Sequence, residues 1–200
     1  MTATEYRSPI LCSVLIPTHD RVDDLHRCIE SVFSEAKDPS RVEAIVRLDF
    51  EDRNTLEHLT SLSRPYPNVR AIVSHRMDGF DSLPIFDDEC ARLARGDWIW
   101  LFNDDAWIDG AGWDAVLEKA VEQFQNKLFP RFYPQYQWDG TSCYENAAGG
   151  TFPIIGRHLW KHWELGKVNG GGIDHVVGKH EHGVDVFLPG IGVRHTSRHK

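Results

Sequence analysis

Trp98-Ile-Trp-Leu-Phe102 is an unbroken run of large apolar side chains that ends on Asn103, Asp104 and Asp105 and resumes with Trp107. It is far shorter than the ~20 residues of a bilayer-spanning helix. With no polar position to turn toward water, it reads as a central strand covered on both faces, the environment of a parallel sheet between helix layers. The neighbouring sequence supplies those layers. Leu11 to Ile16 is a second short apolar run, stopped by Pro17-Thr18. Behind it Leu25, Cys28, Ile29, Val32 and Phe33 recur at helical spacing, with Asp20 placed to cap the helix. Ala44 to Leu48 and Val69 to Val73 read as strands, and Leu56 to Leu62 as a short helix between them. Phe86, Cys90, Leu93 and Ala94 form a helical stripe stopped by Gly96, and Trp113, Val116, Leu117, Ala120, Val121 and Phe124 form another. Strands alternating with helices give an α/β fold: a Rossmann-like, mostly parallel sheet flanked by helices, with right-handed crossovers.

This rhythm fails beyond Leu128. Phe129 to Gly150 is rich in aromatics, Pro and Gly, and reads as an extra strand with a long loop or as a small insertion. Phe152 to Ile155 reads as a strand, His158 to Leu165 as a helix, and Asn169-Gly-Gly-Gly172 as a loop entering a helix. Asp185 to Leu188 and Gly192 to His195 read as two closing strands. At 200 residues one domain is expected, residues 1–200, with a nucleotide-binding half at 1–113 and an acceptor and catalytic half at 114–200.

Charge narrows the partners. A net charge of -8 without a basic cluster makes nucleic acid a poor partner. No apolar run is long enough to span a membrane, and the opening MTATEYRSP does not resemble a secretory signal, so a soluble, cytoplasmic protein is expected. Cys12, Cys28, Cys90 and Cys143 lack CxxC spacing, and the first three fall on apolar faces, which reads as reduced core thiols.

In open parallel sheets ligands bind beyond the carboxyl ends of the strands. Pro17, Thr18 and His19 follow the first strand, Asp49, Glu51 and Asp52 the second, and Asp104 and Asp105 the apolar run, so one edge collects acids and small polar groups. Adjacent carboxylates are tolerable where a divalent cation offsets their repulsion, and such hard oxygen ligands suit Mn²⁺ or Mg²⁺. The same Asn-Asp-Asp is also compatible with a solvated turn cap.

Ser13-Val-Leu-Ile-Pro-Thr-His-Asp-Arg21, Glu43-Ala-Ile-Val-Arg-Leu-Asp49 and Ala91-Arg-Leu-Ala-Arg-Gly-Asp-Trp-Ile-Trp-Leu-Phe-Asn-Asp-Asp105 together resemble the first half of family 2 type glycosyltransferases with the GT-A fold. The resemblance implies that Pro17, Thr18 and Arg21 line a nucleotide pocket and that Asp49 bonds the base. It places Asp104 on the ribose or the metal, and Asp105 on a metal bridging a diphosphate. The family's Asp-x-Asp opens here on Asn103. Asn169-Gly-Gly-Gly-Ile-Asp174 is similar to the glycine-rich loop and catalytic acid of inverting relatives; Ile173 stands where a second acid is usual, leaving Asp174 as the base. His195 occupies the position of a late histidine that returns to the metal, and Trp107 is a candidate ligand contact. Trp160 and Trp163 suit helix packing, and His175, His180 and His182 a solvated surface.

The function implied is metal-dependent transfer of a sugar from a nucleotide-diphosphate donor to a hydroxyl acceptor with inversion. A nucleotidyltransferase of similar fold and a noncatalytic nucleotide-sugar-binding module are the alternatives. Donor sugar, base and acceptor are not specified by the sequence.

Overall fold

A computed structural model describes residues 8–77, 82–124, 127, 129–138, 142–146, 151–162, 164, 177 and 183–196. Strand β1 (Cys12–Pro17) leads into helix α1 (Val22–Ser34), β2 (Val42–Asp49), α2 (Arg53–Leu62), β3 (Val69–Ser74), α3 (Leu83–Leu93) and β4 (Trp98–Leu101). β1 pairs in parallel with both β2 and β4, and β2 with β3. Their carboxyl ends therefore point the same way. The apolar run is a central strand as expected: every residue of β4 is buried. Alternate side chains of β1 feed two cores. Val14 and Ile16 pack with the apolar face of α1 and with Leu59, Trp100 and Trp113, while Leu15 packs with Ile45, Ile99, Cys90 and Trp160. Helices thus cover both faces, which explains why the strands lack polar alternation.

The two largest buried side chains, Trp100 and Trp113, stand 4.9 Å apart between ring centroids. Each indole N–H donates to a backbone carbonyl, Trp100 to Phe152 and Trp113 to Val32, both at 3.0 Å. The rings therefore contribute apolar area without leaving a buried donor unpaired.

Past β4 the sheet continues through β5 (Ala106–Asp109), α4 (Trp113–Phe124), β6 (Pro130–Trp138), β7 (Cys143–Glu145), β8 (Ile154–Gly156), α5 (Arg157–His162) and β9 (Val184–His195). Among the described residues the strand order is β3-β2-β1-β4-β8-β6-β9-β5, with β7 on the side of β6. Antiparallel pairs appear only in this later half, and most of the ladder positions remain parallel.

Several local expectations are revised. The segment after Asp105 is a strand, β5, to which the sequence reading assigned no element. The two closing strands are one, β9, irregular opposite Pro134 and Tyr136. Asp20 does not cap α1. Arg21 holds the cap position without a side-chain hydrogen bond, and Asp20 takes a left-handed backbone with φ 52°. Leu93 is exposed at the last position of α3, while Ala94 after it is buried. Gly96 is required by proximity: a Cβ there would lie 2.7 Å from the Ser13 backbone nitrogen. Cys12, Cys28 and Cys90 are buried free thiols as expected, and Cys143 is exposed.

Candidate active site

Because β1, β2 and β4 are parallel, the turns that follow them meet at one edge of the sheet. Thr18 is buried after β1 and its hydroxyl donates to Asp104 Oδ2 at 2.8 Å. Arg21, one turn further, reaches Asp105 Oδ2 at 2.7 Å and Asp104 Oδ1 at 3.5 Å. His195, brought by the end of β9, places Nε2 2.9 Å from Asp105 Oδ1. The backbone confirms that approach, with Thr196 N–H donating to the Asp105 carbonyl at 3.1 Å. Two residues from the first turn, two after β4 and one from the last strand therefore converge.

The adjacent acids differ in state. Burial pushes the Asp104 carboxyl up to about 6, against the Thr18 hydrogen bond and the Arg21 charge, which act to lower it. Burial acts on Asp105 in the same direction, but the hydrogen bond and charge of His195, joined by those of Arg21, outweigh it and hold that carboxyl below its ordinary value. His195 and Arg21 thus ease the repulsion at Asp105, while the Asp105 charge still adds to the rise at Asp104.

The donor types would suit a divalent cation, which would take the place of the hydrogen bond that now joins Asp105 Oδ1 and His195 Nε2 at 2.9 Å. One carboxylate and one imidazole suit Mn²⁺. Among the described residues no group of three or more His, Cys, Asp or Glu forms a complete cage, so most of an ion's shell would fall to water and substrate oxygens.

Asp49 belongs to a neighbouring cluster. It pairs with Arg47, a fully buried cation of β2, and its other oxygen lies 2.8 Å from His19 Nδ1. Arg47 also bonds Glu89 at 3.2 Å and lies 3.8 Å over the Phe86 ring. Asp52 accepts from the Asp20 N–H at 2.8 Å and the Thr55 N–H at 3.1 Å. Neither Arg47 nor Asp52 was given a role by the sequence reading. The signal for Arg47 was a charge flanked by apolar residues inside a strand, which in a covered sheet must find a partner.

Pro17 lies at the end of β1 beside Arg47 in register. The Trp107 ring is not among the groups that meet at the acids; Arg27 of α1 covers it at 3.4 Å. Trp160 is buried and donates to Asp88 at 2.8 Å, in keeping with a packing role. Asp174 and the glycine loop before it, with Trp163, His175, His180 and His182, lie outside the described residues.

A family model described as glycosyl transferase family 2 matches residues 13–142. Among solved structures, TarS 1-349 of S. aureus is similar at a TM-score of 0.70 and 11% identity, over 94% of this chain and 60% of that one. The same TarS fragment in complex with UDP-GlcNAc gives 0.69 and 12%, over 96% and 60%. GalNAc-T7 with UDP, GalNAc and Mn²⁺ gives 0.72 and 16%, over 94% and 44%. These likenesses show a shared GT-A fold, and the chain spans 60% or less of each of these neighbours. No curated protein matches the sequence.

Proposed function

The chain belongs to glycosyl transferase family 2, and from that premise we propose that it transfers a sugar from a nucleoside-diphosphate donor to a hydroxyl acceptor, with a divalent cation and inversion at the anomeric carbon. The observation that carries the reading is the convergence of Thr18, Arg21, Asp104, Asp105 and His195 at the carboxyl edge of the parallel strands. That edge is where an open α/β sheet binds ligands. Neighbours of the same fold were solved with UDP, with UDP-GlcNAc, and with UDP, GalNAc and Mn²⁺, which favours a UDP-sugar as donor.

In this reading residues 1–113 form the nucleotide half, where Pro17 and Thr18 line the pocket and Asp49, fixed by Arg47, accepts from the base. Trp107 borders that half under Arg27. Asp104 meets the ribose. Asp105 and His195 hold the cation, Mn²⁺ or Mg²⁺, which when bound supplies positive charge for the departing diphosphate. Arg21 adds a fixed positive charge at the same place, so part of that stabilisation is built into the protein. The later half, 114–200, receives the acceptor. Asp174 takes the acceptor's hydroxyl proton as its oxygen bonds to the anomeric carbon, and the carbon–oxygen bond to the diphosphate breaks on the opposite side. Buried free thiols at Cys12, Cys28 and Cys90 support a reducing, cytoplasmic setting. Among the described residues no helix is long and apolar enough to cross a membrane.

The test is release of UDP from UDP-sugars with and without Mn²⁺, in the parent and in Asp105→Ala. Turnover that needs the ion and falls at least a hundredfold in the variant is expected. Equal turnover in both proteins sinks the site, and UDP-sugar binding without turnover favours a binding module.

A further inference from the structure

The turn between β1 and α1 has to serve two clusters at once. His19 points to Asp49, at 2.8 Å, and Arg21 points to Asp105 and Asp104, at 2.7 and 3.5 Å. The residue between them, Asp20, makes this divergence possible by taking φ 52°. That is a left-handed conformation that costs most side chains with a Cβ and that Asp tolerates better than most, so a contact from outside the turn can fix it there.

The holder is visible. Asp52 is buried at the start of α2, and its two carboxylate oxygens do different work. Oδ1 accepts from the Thr55 N–H at 3.1 Å, the ordinary duty of a helix cap. Oδ2 accepts from the Asp20 N–H at 2.8 Å, across 32 residues of sequence. Asp52 is itself fixed, since its own N–H donates to the Asp49 carbonyl at 3.0 Å. A cap alone needs one oxygen, and Ser or Asn would supply it. The second oxygen is aimed at the strained residue.

We propose that Asp52 is a positioning residue for donor binding, locking Asp20 in the left-handed turn that sends His19 to one acid cluster and Arg21 to the other. This rests on the reading of that edge as the nucleotide-sugar site. Without the tether Asp20 relaxes, and only the fraction of molecules with both side chains in place binds donor, which lowers apparent affinity by that fraction.

Asp52→Asn separates the tether from the cap, because the amide keeps one acceptor oxygen for Thr55 and loses the second. Calorimetric titration of the full chain with UDP and Mn²⁺ is expected to show affinity about tenfold weaker in Asp52→Asn, with the melting midpoint little changed. Adding Asp20→Gly to that variant should recover most of the affinity, because glycine adopts positive φ freely. A purely structural Asp52 predicts no such rescue. Parent-like affinity in Asp52→Asn, or no recovery on adding Asp20→Gly, overturns the proposal. If the parent itself binds no UDP, the donor reading fails, and the tether is decided separately by hydrogen exchange at the Asp20 amide. That amide should exchange slowly in the parent and fast in Asp52→Asn; equal protection in both overturns it.

Discussion

Thr18 and Asp104 show how one hydroxyl restrains the rise of a buried acid. Asp104 sits at about 6, pushed up by burial and restrained by the Thr18 hydrogen bond. A carboxyl raised in the fold opposes folding once it ionises. Stability from this group is therefore greatest below the ordinary carboxylate value, about 4, and is lost as pH rises through about 6, by on the order of 3 kcal/mol. Thr18→Val removes the restraint. The Asp104 midpoint, followed by carboxyl NMR in chelator, should move above about 6, and denaturant unfolding should show the loss beginning at the same pH as in the parent, near the ordinary carboxylate value, but running to higher pH and ending deeper. A midpoint that stays in place would mean that the hydroxyl does not serve this acid. Asp105, flanked by Arg21 and His195, is the opposite case: its depressed carboxyl contributes stability above the ordinary value that disappears only as pH falls through its own.

Elements were legible where one force decided them. β1, β2 and β4 are short, largely apolar runs covered on both faces; α1 and α4 carry a full apolar stripe. β5 was missed because Ala106 to Asp109 alternates over only four residues directly after the acids. β9 was split in two because Pro189, Gly190 and Gly192 break the pattern of a strand whose continuity is imposed by β6 and β5 on either side. The site divides likewise. Acids at strand ends can be read from order along the chain, whereas Arg21 bridging them and Asp52 holding Asp20 depend on pairings across more than 30 residues. Gly96 belongs to this scale: the α3–β4 connection passes against Ser13, whose hydroxyl accepts from the Gly96 N–H at 2.9 Å. Gly96→Ala places a methyl 2.7 Å from the Ser13 nitrogen, a backbone atom that cannot turn aside. It should cost about 1–3 kcal/mol in denaturant unfolding, and an unchanged midpoint would show that the connection is free to shift.

At the scale of the whole molecule, the parallel half makes the acids and the later half sends back a histidine. β9 starts beside β6 at Val184 and ends beside β5, where His195 lies opposite Ala106 and Thr196 bonds the Asp105 carbonyl. His195 is thus delivered by the backbone ladder; its side chain keeps 30% of its surface exposed. Fold and site should therefore separate on substitution. His195→Ala is expected to leave the melting midpoint within about 2 °C of the parent, while the Asp105 midpoint rises because its hydrogen bond and charge partner is gone and Mn²⁺-supported UDP release drops by at least tenfold. Gly192→Ala, in the same strand, does the reverse first: a Cβ there runs into the Trp138 ring, so loss of stability accompanies any loss of turnover. A His195→Ala protein that melts like Gly192→Ala would mean the histidine holds the strand in place, and one that keeps parent turnover would remove it from the chemistry. Thermal melts, carboxyl titration and UDP release on the same three proteins distinguish these outcomes.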